Sequence, residues 1–345
     1  MKNKLVILLI LPLYLLAQTK QNFKVVIVAF YNCENFYDTV HNPMIKDLEF
    51  TPTGDRKYKS AIYMDKVNKL ATVISQIGTD ISKDGPAIIG LAEVENDTVL
   101  NDLIHNKNLL NRHYKIVHYD SKDERGMDVA LLYNPKYLIV KESMPLTVHL
   151  PSWGKYIRHT RDVLWVKGIL DGEEVNILVN HWPSRLGDEE ISNSGRYAAA
   201  AVCKVQMAEL SNKNPNAKII LMGDLNDNPN SESVIKVLKA KGEIENVREG
   251  ELFNPFVELY NKGIGTLAYQ DSWGLFDQIM VNYPWLNKHQ IGYFYFKQHV
   301  FNKEFLIENL GKYQGYPMRT WDGLSYRGGY SDHFPSYIIL LKKTK

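Results

Sequence analysis

The chain has 345 residues, 45% of them hydrophobic and 23% charged, the balance of an ordinary soluble globular protein of one large or two average domains. These values exclude a disordered chain, a disulfide-stapled miniprotein and a collagen-like fibre. With 41 basic and 39 acidic residues the formal charge is +2, so no strong basic field advertises nucleic acid.

In chain order, Lys2 and Lys4 precede an apolar run from Leu5 to Leu16 that closes on the small residue Ala17, the pattern of a secretory signal. Cleavage after Ala17 would remove 17 of the 345 residues and two lysines, leaving 39 basic against 39 acidic groups. No later apolar run approaches about twenty residues, so the mature chain is expected to be secreted or periplasmic, without stable membrane insertion. Residues 18–345 read as a single domain and, by expectation, a monomer. Strand-like apolar runs follow at Val25–Tyr31, Ala87–Ala92, Val129–Tyr133, Val163–Leu170, Val175–Val179, Lys218–Met222, Phe276–Val281 and Pro335–Leu341. Between the first two, Ile62, Val67, Leu70, Val73, Ile74 and Ile77 share one helical face that Gly78 ends. A second helix is predicted from Arg196 to about Leu210 and a third after Ser231, whereas Lys241–Ser272 reads as long loops. Many strands with few helices suggest packed sheets covered by helices. Cys33 and Cys203 form no metal or redox motif and sit in apolar contexts, so two buried free thiols are expected.

Polar residues stand where the apolar runs end. Tyr31-Asn32, Ala92-Glu93, Asn180-His181-Trp182-Pro183-Ser184-Arg185 and Gly223-Asp224-Leu225-Asn226-Asp227 each close a strand. Asp277 lies inside another run, and Ser331-Asp332-His333 precedes the last. Acids and histidines set against apolar strands are costly to bury unless paired or metal-bound, so their repetition suggests one rim gathered into a cleft. Taken singly, Asp224 and Asn226 could organise a turn, His181 could be a structural histidine, and Glu95 could replace Glu93 as the functional acid. Their conjunction in this order is what turn chemistry does not explain. No Cys/His cluster has zinc spacing, and hard oxygen donors suit Mg2+, with Mn2+ or Ca2+ as alternatives.

These segments resemble the endonuclease/exonuclease/phosphatase superfamily, of the deoxyribonuclease I type, and secreted bacterial endonucleases within it. The matching stretches also include Ile89-Gly90-Leu91-Ala92-Glu93-Val94, Arg125-Gly126-Met127-Asp128, Phe276-Asp277-Gln278-Ile279 and Ser331-Asp332-His333-Phe334-Pro335. The resemblance implies an α/β fold, a four-layer α/β/β/α sandwich of two packed mixed sheets flanked by helices. It implies a metal held by Glu93 with Asn32 and Asp332, a water oriented or deprotonated by Asp224, and Asn226 at the same phosphate. His333, oriented by Asp277, would donate to the phosphoryl group. His181 would be a second catalytic histidine, with Asp128 as the candidate that orients it. Arg185, Arg196 and Arg125 are candidates for phosphate oxygens, with structural salt bridges as the alternative for Arg185 and Arg196. The implied activity is Mg-assisted hydrolysis of phosphodiesters, most readily DNA or RNA. A phospholipid or small phosphoester is the alternative substrate, and an inactive binding module a third reading.

Overall fold

In chain order the structural elements are β1 (Phe23–Phe36), α1 (Ser60–Gln76), β2 (Ile88–Val94), α2 (Asp97–Ile104), β3 (Lys115–His118), β4 (Asp128–Tyr133), β5 (Leu138–Leu146), β6 (Val163–Leu170), β7 (Glu173–His181) and α3 (Glu189–Lys213). There follow β8 (Lys218–Asp224), β9 (Leu252–Phe253), α4 (Phe256–Asn261), β10 (Leu267–Tyr269), β11 (Ser272–Gly274), β12 (Asp277–Asn282), β13 (Phe294–Val300), β14 (Trp321–Asp322), β15 (Ser325–Tyr326) and β16 (Ser336–Lys343). The computed structural model describes residues 22–151, 158–185 and 187–344, and the expected signal at 1–17 lies outside them.

Two six-stranded sheets carry the fold, ordered β13-β16-β1-β2-β4-β3 and β5-β6-β7-β8-β12-β9. Each is mixed: one central pair is parallel, β1 with β2 and β7 with β8, and the other pairs are antiparallel. A parallel pair needs a crossover, supplied by α1 in the first sheet and α3 in the second. In β1, Val26, Val28 and Phe30 point into the core between the sheets, where they meet Val166, Val179, Met222 and Ile279. Ile27, Ala29 and Tyr31 point the other way, onto Val67, Leu70 and Ile74 of α1. Burial of both faces is why the central strands read as unbroken apolar runs. On the far side Ala199, Ala200, Cys203 and Met207 of α3 cover Leu178, Ile219 and Leu221, completing the expected four layers.

Gly78 ends α1 as predicted: its φ is +63°, and a Cβ there would lie 2.2 Å from Ile27 Cδ1. Other expectations need correction. Helix α3 begins seven residues before Arg196, because Asp188 caps it by accepting from Ile191 N, and Glu189 and Glu190 favour its N-terminal dipole. After Ser231 there is only a five-residue π-helical turn, Ser233–Val237. The Lys241–Ser272 stretch is not all loop, since it holds β9, α4 and β10. The strands β3, β5, β9 and β13 went unforeseen, and all four are sheet edges. Edge strands are short or half exposed, so they lack the apolar run that marks a central strand.

Candidate active site

The polar strand ends converge where the two parallel pairs deliver their C-termini side by side, the crevice in which open α/β sheets hold ligands. Asn32 on β1 is level with Ala92 on β2, and the next residue, Glu93, takes φ +59° at a bulge. That left-handed turn is costly for a non-glycine residue and swings the carboxylate out of the ladder. On the second sheet His181 ends β7 opposite Asp224 at the end of β8, and Asp277 opens β12 on the other side of Asp224. Gly223 permits this close packing, because a Cβ there would lie 2.3 Å from Asn180 O. His333 comes from the loop before β16, three residues ahead of the strand, as its place before the last apolar run suggests.

Asp224 is the hub. Its Oδ2 accepts from Asn32 Nδ2 at 2.9 Å, and its Oδ1 accepts from Asn226 N at 2.9 Å. The same Oδ2 lies 3.7 Å from His181 Nε2 and 3.9 Å from His333 Nε2. Those separations are too long for hydrogen bonds, yet short enough for the three groups to share a water or a phosphoryl oxygen. His333 Nδ1 meets Asp277 Oδ2 at 2.7 Å, which sets the ring so that Nε2 faces the cleft. Glu93 Oε2 accepts from Asn35 N at 2.8 Å, leaving Oε1 towards the cleft, 3.9 Å from His181 Nε2.

Electrostatics separate the two histidines. Burial and the charges of Arg161, Arg125 and His333 hold His181 well below the ordinary histidine range, so it is neutral at neutral pH. Burial opposes charge on His333 too, but the carboxylates of Asp277, Asp224 and Asp332 outweigh it and carry its pKa well above that range. Burial, with help from Asp277 and against His333, pushes the Asp224 carboxyl up to about 6. Environments that part the affinities of neighbouring groups are the usual way to supply an acid and a base in one cleft.

The structure brings Asn32, Glu93, His181, Asp224, Asp277 and His333 together, and Asp332 borders them through its neighbour. It also corrects several expected roles. Asn32 Oδ1 accepts from Glu34 N at 2.9 Å, which fixes the amide and presents nitrogen, not oxygen, to Asp224 and Glu93. In this arrangement Asn32 positions two carboxylates. Asn226 is not extended: its φ is +48°, it closes an Asx turn on Asp224, and its Nδ2 is committed to Trp182 O at 2.9 Å. Asp332 pairs with Arg319 at 3.1 Å. Asp128 does not orient His181, because it accepts from Ser121 N and faces His118, while His181 Nδ1 is buried without a partner. Arg196 is buried, 2.9 Å from Asp227, and so is a structural bridge. Arg185 also reaches Asp227, at 3.0 Å, but remains half exposed over the Phe276 ring. Arg125 stays at the rim, where the charges of Glu93 and Asp123 outweigh its burial.

Sequence reasoning missed two supports. Arg161 is buried, pairs with Asp123 at 3.1 Å, and donates to His181 O and Trp182 O. Glu34, at φ +48°, accepts from Thr320 N and Trp321 N and ties β1 to the segment leading to Asp332. An acid inside Tyr31-Asn32-Cys33-Glu34-Asn35 was a visible signal for Glu34. Arg161 had none, since its role depends on partners far apart in the chain.

Similar solved structures share this arrangement of sheets. An endonuclease/exonuclease/phosphatase family protein from Bacteroides thetaiotaomicron matches at TM-score 0.57 and 17% identity, covering 94% of this chain and 97% of that one. A mannosyl-6-phosphatase from the same organism matches at TM-score 0.55 and 17% identity over 91% and 99% of the two chains. Danio rerio TDP2 complexed with a single-strand DNA product matches at TM-score 0.53 and 12% identity over 92% and 98%. No curated protein matches the sequence. The model of the Endonuclease/Exonuclease/phosphatase family matches residues 27–342, which hold both sheets and every residue gathered in the cleft. With that match the chain is a member of the endonuclease/exonuclease/phosphatase family.

Proposed function

We propose that the protein is an exported, divalent-metal-dependent phosphodiesterase that cleaves DNA or RNA by in-line attack of water. The carrying observation is the cradle formed by His181 Nε2, His333 Nε2 and Asp224 Oδ2, held open at 3.7 and 3.9 Å with the Asp277 carboxylate behind His333. Glu93 suits Mg2+, which needs only one or two carboxylates beside waters and substrate phosphate: one of its oxygens is anchored on Asn35 N and the other faces the cleft. Such an ion would supply charge neutralisation at the phosphoryl oxygens. Asp224 holds the attacking water and takes its proton, aligned by Asn32 Nδ2 and Asn226 N. His333, kept charged by Asp277, donates to the phosphoryl oxygen, and neutral His181 donates from the opposite side.

A nucleic acid substrate is favoured by aromatic and cationic groups beside Asp332. There a cavity of about 300 Å3 is lined by Tyr269, Tyr313, Tyr316 and Arg319, with the Arg319 guanidinium 5.5 Å from the Tyr313 ring. Aromatic faces with interleaved cations suit stacked bases. A second reading, a small phosphoester such as a sugar phosphate, is favoured by a polar cavity of about 700 Å3 lined by Arg185, Asn193, Tyr197, Asp227 and Glu232. Its wall of hydrogen-bonding groups, in which Arg185 and Arg196 are offset by Glu189, Asp227 and Glu232, suits a polyhydroxyl ring, and one structural neighbour is a mannosyl-6-phosphatase. The deciding experiment is a panel of plasmid, single-stranded DNA, RNA, sphingomyelin and sugar phosphates, each with Mg2+ and with chelator. Chain scission of nucleic acid well above the other rates supports the first reading, and preferential release of inorganic phosphate from sugars overturns it. Export is checked by N-terminal sequencing of envelope or medium fractions, where a start at Gln18 is expected and a start at Met1 would refute it.

A further inference from the structure

Away from the cleft, the end of β3 and the start of β4 gather a second set of ligand-type side chains. One ligand atom from each of His118, Asp120 and Asp128 lies within 4.8 Å of the other two. The His118 side chain is 3% exposed, and its Nδ1 lies 3.1 Å from Asp97 Oδ1 at the first turn of α2. With an ion bound, the carboxylate on Nδ1 would hold the proton there and leave the Nε2 lone pair to the metal, the arrangement that carboxylates impose on metal-ligating histidines. Without one, burial opposes charge on His118, but the carboxylates of Asp128, Asp97 and Asp120 outweigh it and carry its pKa up. That Nε2 is buried with no hydrogen-bond partner and is 3.8 Å from Asp128 Oδ2. Asp128 spends Oδ1 on Ser121 N, so Oδ2 is also available. Asp120 is exposed and, with Asp128, lines a cavity of about 740 Å3 whose walls also carry Glu95, Glu124, Lys46 and Lys122.

We propose that His118, Asp120 and Asp128 bind a divalent transition-metal ion of the Zn2+ or Mn2+ kind, at a site separate from the phosphoester cleft. One imidazole with two carboxylates suits the borderline ion Zn2+, and Mn2+, which also accepts imidazole, better than Mg2+ or Ca2+, which prefer oxygen throughout. Tetrahedral ligands around Zn2+ stand about 3.3–3.5 Å apart, so the 3.8 Å between His118 and Asp128 closes by about half an ångström, and Asp120, within 4.8 Å of both, moves in by up to about 1.5 Å. The ion would clamp the 119–127 loop between β3 and β4. That loop carries Arg125, whose charge Glu93 helps to hold, and Asp123, which pairs with the Arg161 that holds His181 O. The site is thus placed to fix the rim of the cleft without touching substrate. The competing arrangement is a protonated His118 shared by Asp97 and Asp128 with no ion.

Zn2+ is titrated calorimetrically into chelator-stripped full-length protein in excess Mg2+, comparing the wild type with His118→Gln, Asp120→Asn, Asp97→Asn and Glu93→Gln. One Zn2+ should bind the wild type and Glu93→Gln alike. Affinity should fall about tenfold or more in Asp97→Asn, and further in His118→Gln and Asp120→Asn. Asp120 is exposed, so its variant keeps the test valid if His118→Gln fails to fold. Zn2+ should also slow tryptic cleavage after Lys122 and Arg125 in the wild type and not in Asp120→Asn. Zn2+ binding that survives both His118→Gln and Asp120→Asn, or that Glu93→Gln abolishes, overturns the proposal, as does a wild type that binds no Zn2+.

Discussion

Replacing His333 by alanine removes two things at once, and the structure lets them be separated. The first is a charged donor facing the cleft 3.9 Å from Asp224 Oδ2. Loss of one preorganised donor of this kind costs about a hundredfold to a thousandfold in turnover, or about 3–4 kcal/mol of barrier. The second is the partner of Asp277, which is fully buried, bonds to His333 through Oδ2, and has no partner at Oδ1. Breaking a buried ion pair on one side costs about 3–5 kcal/mol, which for a chain of this length lowers Tm by about 4–7 °C. His333→Ala should therefore be both slow and less stable, and its kcat must be measured where the folded fraction is verified by circular dichroism. Asp277→Asn should lose part of the turnover, because the amide still holds the ring while the charge that favours imidazolium is gone. The double variant should recover most of the lost Tm and be no slower than His333→Ala, since the pair acts as a unit. A kcat for folded His333→Ala within tenfold of the wild type would refute the role given to His333. A double variant less stable than His333→Ala would refute the buried-charge argument.

Three further outcomes follow from the geometry. Gly223→Ala drives a Cβ to 2.3 Å from Asn180 O, so urea unfolding should show a loss of about 1–3 kcal/mol, with turnover reduced in the folded fraction as the Asp224 and His181 ends are pushed apart. Arg196→Met should cost about 3 kcal/mol by denaturant unfolding because it breaks a buried bridge, whereas Arg185→Gln, half exposed, should leave stability within about 0.5 kcal/mol and raise KM on the true substrate. Cys33 and Cys203 are both buried and free, and burial pushes the Cys33 thiol up to about 12 and Cys203 higher. Native protein should therefore resist thiol labelling at pH 8, and denatured, unreduced protein should take up two labels; mass spectrometry reads both.

Much of the site was legible because it sits on central strands. Asn32, Glu93, His181, Asp224 and Asp277 each interrupt or end an apolar run, and parallel pairing puts such ends at one level whatever the intervening loops do. The orientation of their side chains was not legible. Whether Asn32 shows oxygen or nitrogen to the cleft is decided by Glu34 N, and whether Asn226 is extended is decided by a left-handed φ that no periodicity reports. The two arginines near Asp227 look alike in sequence and differ only in depth. The weakest inference concerned Asp128, which the resemblance offered as the acid orienting His181, whereas β-pairing of Lys115–His118 with β4 supplied His118 as its neighbour instead. Edge strands were missed for a related reason: half of their surface faces water, so their composition is that of loops.

The central claim is that Glu93 holds the divalent ion on which phosphoester cleavage in this cleft depends. It is tested most directly by stripping the protein with chelator and titrating Mg2+ back while following hydrolysis of bis(p-nitrophenyl) phosphate, for the wild type and Glu93→Gln in parallel. Wild-type activity should rise from background and saturate with Mg2+, and Glu93→Gln should stay at least about a hundredfold lower at every Mg2+ concentration at which it remains folded. Full wild-type hydrolysis in excess chelator, or a Glu93→Gln titration that overlays the wild type, would contradict the account.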